Sequence, residues 1–438
     1  MRAKRIVPVL FLLVLILGVI GCGTTENPQE PPPKPVPETP GYRSVCFGED
    51  AFLAVGTGGR IDKIAVDKTV TSLQSPVSET LNGVAAQGNR YVAVGNNGTV
   101  VTGTNGTFQA VDAGTAQDLL AVTDFGSAFV AVGRQGTVLT SVDGQTWSPL
   151  SVDVTNDFIS VDSNGETCLA VTREGQVLIM QNLSRGEVLD YNEVYKNLGT
   201  TFHMRAISCP GQGYLVMGTA LDNEDAPVLF KTADGQLWTE IYLDTINNQM
   251  SSAFYPLRMN GAAVLGDQIL VGADEGKLLT LTSCVECTKL KEYDGHTIRS
   301  LACGDDYVLL AGNAFWFDVL SADSVRTDTI KAEQARTDQL ENGAYIVDVR
   351  TVEEYITGHI PGALHIPLDK VAEHLERLVP DKTTKLIFYC SVGGRSQTAL
   401  ETARAAGYSY VYNLGGLEND DWPYELEIGA EGAFEDIS

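Results

Sequence analysis

The 438-residue sequence predicts a multidomain protein: an all-β propeller of about seven blades, followed by an α/β domain built on a parallel sheet. The propeller is predicted by a repeat, because Val55, Val94, Val132 and Val171 occupy one place in successive motif copies, 39, 38 and 39 positions apart. That period is near the length of one blade. The α/β domain is predicted by apolar strands that alternate with helices after a polar connector at 321–329.

The first 42 residues predict a targeting signal and a tether. Residues 1–21 join a basic start to an apolar run shorter than the roughly twenty residues that span a bilayer. The end of this run, Gly21-Cys22, resembles a bacterial lipobox, which implies that Cys22 is lipidated and becomes the mature N-terminus. An ordinary cleaved signal peptide and a short anchor helix are the alternatives.

Residues 22–42 are rich in proline and predict an extended tether. We therefore expect a protein of the cell envelope, lipid-anchored to a membrane and facing the periplasm or the cell exterior. The formal charge of −26 argues against a nucleic-acid partner, which requires clustered cations. Any site for an anion must rely on local hydrogen-bond donors, since the overall field repels anions.

Residues 43–322 carry the repeats and are assigned to the propeller. In each clear copy a β-rich run meets a turn with a glycine (Gly98, Gly136, Gly175), which we expect to supply the positive φ of a tight hairpin. One such meander cannot bury both faces, so the copies must stack, and radial closure hides their edges. Seven copies are visible; six or eight blades, or a β-solenoid, are the alternatives.

Two segments, 141–147 and 232–238, resemble the Asp-box of sialidase-like propellers, in the variant found in photosystem II assembly factor-type propellers. The resemblance implies a hairpin locked by a carboxylate that accepts hydrogen bonds from the turn amides, with the tryptophan packed between neighbouring sheets. Such boxes mark a fold and not an activity.

Residues 323–438 are assigned to the α/β domain. The pattern predicts helices at 331–342, 368–378 and 396–406 and strands at 344–350, 385–390 and 410–413. The segment 390–396 (CSVGGRS) follows the second strand at its carboxyl end, where open α/β sheets place their ligands.

The chemistry of this domain is predicted to reside in that loop. Gly393 and Gly394 allow the backbone to curl so that successive amides converge, and the helix that follows adds its positive N-terminal end. A thiolate at Cys390 would lie in this nest, with a lowered pKa and enhanced nucleophilicity. Arg395 is expected to hold an anionic group.

The loop resembles the active-site loop of rhodaneses. Further segments follow in the family's order over residues 325–425: 346–350, 353–355, 358–363, 413–417 and Trp422. The resemblance implies transfer of sulfane sulfur through a persulfide on Cys390, from a donor such as thiosulfate or a persulfide to a thiol or cyanide acceptor. No metal and no organic cofactor is implied.

The resemblance also assigns the surrounding residues. It implies that the substrate anion is bound by Ser391, Val392, Gly393, Gly394, Arg395 and Ser396. Asp348 and Arg350 correspond to a structural pair that supports the loop, and His359 and His365 are interpreted as hydrogen-bonding residues of a turn. Four residues separate Cys390 from Arg395, one fewer than in related phosphatases, so phosphatase activity is the weaker interpretation.

Eight cysteines are present, and an odd number remains once Cys22 is assigned to the lipid, so at least one thiol stays free. Cys284 and Cys287 form a lone CxxC inside a repeat, interpreted as a disulfide-tied hairpin. Cys46 and Cys303 fall at adjacent positions of the first and seventh repeats and are predicted to latch the ring as a disulfide. Cys168 and Cys209 form a second candidate pair.

The sequence therefore predicts an extracytoplasmic, lipid-anchored sulfurtransferase. The alternative is a binding or assembly protein whose propeller recognises a protein partner, while the C-terminal domain carries or senses sulfur without high turnover.

Overall fold

The computed structural model describes residues 39–435 except 105, 191–201, 209–212, 221–225, 234, 237, 242–257, 266–267, 283–285, 305 and 420. The predicted signal sequence, Cys22 and most of the tether lie outside the described residues. Within the described part of the chain, no helix has both the length and the apolar character needed to cross a membrane.

The first part of the chain forms seven antiparallel sheets, each a meander of strands paired in chain order. The first four sheets contain β1 (Tyr42–Phe47), β2 (Phe52–Gly56), β3 (Ile61–Ile64) and β4 (Val70–Ser72); β5 (Leu81–Gln87), β6 (Arg90–Gly95), β7 (Thr99–Thr104) and β8 (Thr107–Asp112); β9 (Leu119–Phe125), β10 (Ala128–Gly133), β11 (Val138–Ser141) and β12 (Ser148–Pro149); β13 (Phe158–Ser163), β14 (Cys168–Thr172), β15 (Gln176–Asn182) and β16 (Arg185–Asp190).

The remaining sheets complete the set. They contain β17 (Phe202–Ser208), β18 (Tyr214–Ala220), β19 (Ala226–Thr232) and β20 (Trp238–Ile241); β21 (Met259–Leu265), β22 (Gln268–Ala273), β23 (Lys277–Thr282) and β24 (Glu286–Glu292); β25 (Ile298–Cys303), β26 (Tyr307–Gly312) and β27 (Phe317–Ser321). Short 3₁₀ turns lie at Thr57–Gly59, Asn96–Gly98, Asp274–Gly276, Ala322–Ser324 and Leu417–Asn419.

The seven sheets close into a ring. A separate apolar cluster fills each junction between consecutive sheets, and one more joins the seventh sheet to the first, where Phe52 packs with Leu309 and Val319. The amide of Val45 also donates to Ser300 Oγ across this junction, at 3.2 Å. The propeller and its seven blades are therefore confirmed, and in the part of the chain that the structure describes each sheet packs against two neighbours.

The glycine turns have the predicted geometry. Gly98, Gly136 and Gly175 have φ values of 71°, 68° and 93°. At Gly136 the constraint is also steric, because a Cβ atom there would lie 1.8 Å from the carbonyl oxygen of Val154. The turn between the second and third strands therefore packs directly on the backbone that leads to the next blade.

The first Asp-box has the implied hydrogen bonds. Asp143 Oδ1 accepts from the amides of Gln145 and Thr146 at 2.8 and 2.7 Å. These backbone bonds lower the pKa of Asp143 to about 2. Trp147 packs against the cluster that joins the second and third sheets. In the second box the amide of Gly235 donates to Thr232 Oγ1 at 2.9 Å, and Asp234 lies outside the described residues.

The predicted disulfide between Cys46 and Cys303 is wrong, because both thiols are free. Cys46 packs at the junction of the first and second sheets, whereas Cys303 packs at the junction of the sixth and seventh. Side chains at adjacent positions of a strand point to opposite faces, which puts the two sulfurs on opposite sides of neighbouring blades. Cys209 and Cys284 lie outside the described residues, so their pairings stay predictions.

A short connector joins the propeller to the second domain and is bonded at both ends. Val325 is buried in the cluster of the sixth and seventh sheets, and its carbonyl accepts from Gln268 Nε2 at 2.7 Å. Three residues later, Asp328 pairs with Arg404 at 2.8 Å, and its carbonyl accepts from the amide of Asn413 at 2.6 Å.

The second domain is a four-stranded parallel sheet in the order β29-β28-β30-β31. Its elements are α1 (Ala332–Glu341), β28 (Tyr345–Asp348), α2 (Val352–Thr357), β29 (Leu364–His365), α3 (Leu368–Leu378), β30 (Leu386–Cys390), α4 (Gly394–Ala405) and β31 (Val411–Gly416). Alternate residues of β30 enter different apolar clusters: Phe388 packs with α3 and α4, and Ile387 packs with α1. The sheet is therefore covered on both faces, as the pattern predicted.

Candidate active site

The candidate loop connects β30 to α4 at the carboxyl edge of the sheet. β30 is buried along its whole length and ends at Cys390. The chain then turns through Gly393, whose φ of 98° is a left-handed conformation that favours glycine, and α4 begins at Gly394. Because strand, turn and helix follow within a few residues, the backbone amides of the turn surround the cysteine sulfur.

The donors around this sulfur come from both backbone and side chain. The amide of Gly393 donates to Cys390 Sγ at 3.0 Å, and Ser396 Oγ lies 3.6 Å from the same atom. Burial alone would raise the pKa of Cys390. The backbone and hydroxyl of Ser396 and the amides of Val392 and Gly393 stabilise the thiolate, so the pKa lies below that of an ordinary cysteine.

Cys390 lies beneath the loop and is 0% exposed, whereas the side chain of Val392 at the rim is 59% exposed. The sulfur is thus held in its nest without contact to bulk water. Shielding from water also strengthens the hydrogen bonds that stabilise the thiolate.

The guanidinium of Arg395 is paired with a carboxylate, and its binding of a substrate anion stays a prediction. Its Nη1 and Nη2 donate to the two carboxylate oxygens of Glu354 at 2.7 and 2.6 Å. Nη2 also donates to Ser391 Oγ at 2.9 Å. The guanidinium beside Glu354 holds the pKa of that carboxyl well below its usual range.

Glu354 is a site residue that the sequence reasoning did not assign. It is the third residue of α2, whose N-cap is Thr351, and the two form a capping box: the amide of Thr351 donates to Glu354 Oε2 at 3.0 Å. The signal for this box was present as Thr351 and Glu354 three residues apart. What the spacing did not show was that the same carboxylate reaches Arg395.

β31 supports the loop from the other side. Asn413 Oδ1 accepts from Ser396 Oγ at 2.8 Å, and Asn413 Nδ2 donates to the carbonyl of Gly393 at 3.2 Å. A Cβ atom at Gly416 would lie 2.3 Å from the carbonyl oxygen of Ser391, so only glycine fits there. The role of Asn413 was missed, although its segment was part of the rhodanese resemblance.

Ser396 lies beneath the cysteine sulfur, and its predicted role in binding the substrate anion stays a prediction. It is fully buried and bonds the sulfur from the side of the domain core. Its hydroxyl also contacts the carbonyl of Gly393 at 2.9 Å. Ser396 is therefore in position to stabilise the thiolate and the loop, while Ser391, Val392 and Arg395 form the rim.

Asp348 and Arg350 form a buried pair next to the strand that carries the cysteine. Arg350 Nη2 lies 2.6 Å from Asp348 Oδ2 and donates to the carbonyl of Gly358 at 2.7 Å. The guanidinium of Arg350 also lies over the ring of Tyr389, the residue before Cys390, at 5.5 Å. The pair therefore braces the strand that ends at Cys390.

The two histidines bond the backbone. His359 Nδ1 lies 3.1 Å from the carbonyl of Tyr355, and His365 Nε2 lies 2.9 Å from that of Arg350. The amide of Phe434 donates to His365 Nδ1 at 3.0 Å. Since Nδ1 accepts this bond, the proton of neutral His365 is on Nε2, and the ring ties the C-terminal segment to the sheet.

The C-terminal domain is similar to known proteins. Residues 331–419 match the model of the rhodanese-like domain family. Thiosulfate sulfurtransferase PspE of Escherichia coli is 40% identical over 77 residues, which are 18% of this chain and 74% of that protein. Thiosulfate sulfurtransferase GlpE of Pseudomonas aeruginosa is 41% identical over 91 residues, 20% of this chain and 79% of that protein.

Two further proteins resemble this chain over a smaller share of their own length or at lower sequence identity. The putative sulfur carrier protein YrkF of Bacillus subtilis is 33% identical over 94 residues, 22% of this chain and about half (49%) of that protein. The solved structure of YCF48 from Cyanidioschyzon merolae superposes with a TM-score of 0.49 at 12% identity, over 64% of this chain and 95% of that one. The propeller assignment stands on the seven sheets of this chain.

Proposed function

Because the chain belongs to the rhodanese family through its C-terminal domain, we propose that it is a sulfurtransferase that carries sulfane sulfur as a persulfide on Cys390. One observation carries the proposal: the amide of Gly393 donates to Cys390 Sγ at 3.0 Å, and Ser396 Oγ lies 3.6 Å from the same atom. Donors in that position favour a thiolate before the reaction and an anionic persulfide after it.

The chemistry needs two displacements. The Cys390 thiolate attacks the outer sulfur of thiosulfate; a sulfur–sulfur bond forms, and the bond to the sulfite group breaks with its electron pair leaving on sulfite. A thiolate or cyanide then attacks the outer sulfur of the persulfide. That step breaks the new bond and returns the electron pair to Cys390. The nest of donors accommodates the negative charge throughout.

Mass spectrometry of the intact folded protein tests the proposal. After exposure to thiosulfate and removal of excess donor, we expect a mass gain of one sulfur atom, which cyanide removes. Cys390→Ser should show no gain while it keeps its folded structure by circular dichroism, and Cys46→Ser is the matched control that should load normally. A full gain in Cys390→Ser, or none in the unmodified chain, would contradict the mechanism.

The burial of the sulfur favours a second candidate, a carrier that holds sulfur without high turnover. Cys390 is 0% exposed, so every donor or acceptor must first gain access to a covered sulfur. A carrier would load one sulfur readily but release it slowly to cyanide and quickly to a docked protein partner of the propeller. Steady-state turnover far slower than loading distinguishes this candidate from an efficient enzyme.

We also propose a lipid anchor at Cys22, supported by the basic start, the short apolar run and Gly21 before the cysteine. The protein would then face the periplasm or the cell exterior. Metabolic labelling with a radioactive fatty acid should mark the unmodified chain and not Cys22→Ser. Equal labelling of both would contradict the anchor.

A further inference from the structure

We infer that Glu354 sets the donor specificity of the site, so that sulfane-sulfur donors of low negative charge load Cys390 in preference to the thiosulfate dianion. The inference rests on the proposed function and names its substrate class. It concerns the charge at the rim of the loop, as distinct from the donors that surround the sulfur.

Glu354 is held rigidly against the rim. Its carboxylate accepts two bonds from Arg395, at 2.7 and 2.6 Å, and one from Ser391 Oγ at 2.8 Å. A fourth bond comes from the amide of Thr351 at 3.0 Å, within the capping box. With four donors on two oxygens, the carboxylate is fixed in place and stays ionised, which agrees with its lowered pKa.

The ion pair with Glu354 has an electrostatic consequence for the donor. Arg395 is the sole cationic side chain of the loop 390–396, and its charge is matched by Glu354 in a bidentate pair. The opening also carries the exposed Glu418, whose amide donates to the carbonyl of Ser391 at 2.9 Å. Arg395 lies close enough to interact with the Cys390 thiolate, but Glu354 offsets its charge, so each added negative charge on the donor is disfavoured.

The rim also offers an apolar contact. Val392 is 59% exposed, and its carbonyl is tied to Asn419 Nδ2 at 3.2 Å. An exposed isopropyl group at the entrance contributes nothing to a hydrated oxyanion, whereas it can pack against an alkyl group. The charge at the rim and the apolar contact at Val392 therefore favour the same class of sulfur donor. This class consists of monoanionic donors with an organic substituent, such as alkyl thiosulfonates and organic persulfides.

Two probes separate charge from sulfur chemistry. Thiosulfate is a dianion, and methanethiosulfonate is a monoanion in which a methyl group replaces one oxygen. Each transfers its outer sulfur to the Cys390 thiolate: the first releases sulfite and the second methanesulfinate, with the electron pair of the broken sulfur–sulfur bond on the leaving group. Atoms and charge balance in both reactions, and no oxidant or reductant is consumed.

The test is the ratio of kcat/KM for loading by the two probes, measured on the full chain by intact mass. We expect the unmodified protein to favour methanethiosulfonate. Glu354→Gln keeps the capping box, in which Gln also serves, and unmasks Arg395. It should shift the ratio toward thiosulfate by about tenfold, the effect of one charge at several ångströms in a partly exposed site.

Glu353→Gln is the matched control. Glu353 is the exposed neighbour on the same turn of α2, so its neutralisation changes net charge equally without touching Arg395, and the ratio should stay within about twofold. In the unmodified protein, added potassium chloride should move the ratio toward thiosulfate, because salt screens like-charge repulsion.

Each result is decisive. If Glu354→Gln slows loading by both probes equally, Glu354 only supports the fold and the inference is overturned, as it is if the ratio does not change or if Glu353→Gln shifts it as much. If neither probe loads the unmodified protein, the proposed sulfurtransferase function itself fails. Loading that occurs with an unchanged ratio leaves that function intact.

Discussion

Gly136 in the propeller and Gly393 in the C-terminal domain both follow a buried strand and both have left-handed φ values, 68° and 98°. A Cβ atom at Gly136 would meet the carbonyl oxygen of Val154 at 1.8 Å, whereas at Gly393 the nearest atom is 3.5 Å away. The amide of Gly136 bonds a carbonyl of the adjoining connection, and that of Gly393 bonds the sulfur of Cys390. In the propeller the glycine makes room for backbone; in the loop it directs an amide at a reacting atom.

This comparison predicts that stability and activity separate between the two positions. Gly136→Ala should destabilise the propeller by about 3 kcal/mol, because backbone must shift to admit the methyl group. Sulfur loading of Cys390 under native conditions should be unchanged. Urea unfolding followed by tryptophan fluorescence measures the loss.

Gly114→Ala is the matched control for Gly136→Ala. Its φ is 70°, and no atom lies within 4 Å of the added Cβ, so only the conformational cost of about 1 kcal/mol applies. If the two variants lose the same stability, close approach is not what requires glycine at 136.

Gly393→Ala should have the opposite profile. A left-handed φ of 98° is strained for alanine, and relaxing it turns the amide away from Cys390 Sγ. Removing one such donor typically lowers the rate by about 100-fold. We expect that loss in kcat/KM for sulfur loading, with a loss of only about 1 kcal/mol in stability. Full activity in this variant would break the comparison.

Ser396→Ala should have a smaller effect on the same chemistry. Its hydroxyl is a longer-range donor, at 3.6 Å from the sulfur, so the expected loss in loading rate at neutral pH is about tenfold. Because hydrogen bonds to the thiolate lower the pKa of Cys390, their removal should move the midpoint of the pH–alkylation profile upward. Iodoacetamide labelling across pH measures this midpoint; a downward move would contradict the assignment.

The smallest effect concerns pH and the C-terminal segment. Burial lowers the pKa of His365, so the folded state favours the neutral ring. The neutral ring of His365 therefore stabilises the folded protein at pH values above about 6.5, the pKa of histidine in the unfolded chain. This stabilisation is lost as the pH falls through the lower pKa of His365 in the folded state. Protonation of Nδ1 removes the bond from Phe434, about 1 kcal/mol. Thermal unfolding from pH 7.5 to 5 should show the decline, and His365→Asn should not.

Patterns within a short stretch of chain were predicted well. The helix at 368–378 was predicted with the bounds observed for α3, since its apolar spacing and its flanking residues are all local. The loop 390–396 was predicted between a strand and a helix for the same reason. The helix that follows began two residues earlier than expected, at Gly394, because glycines at the start of a helix carry no apolar signal.

Contacts between distant segments were not predictable from spacing. Glu354 and Arg395 are 41 positions apart, and nothing in either segment indicates that they pair. The direction of the side chains also excludes the predicted disulfide. The repeat placed Cys46 and Cys303 at adjacent positions of neighbouring blades, but side chains at adjacent positions point to opposite sides of a strand.

The amino-acid sequence by itself determined the repeat, its glycine turns and the cysteine loop at a strand end, because periodicity and backbone conformation are properties of neighbouring residues. Only the tertiary structure decided that seven sheets close on one another, that Ser396 lies beneath the sulfur, and that a carboxylate neutralises Arg395. These depend on which side chains meet after the chain has packed, and chain packing brings together residues whose separation along the sequence carries no such information.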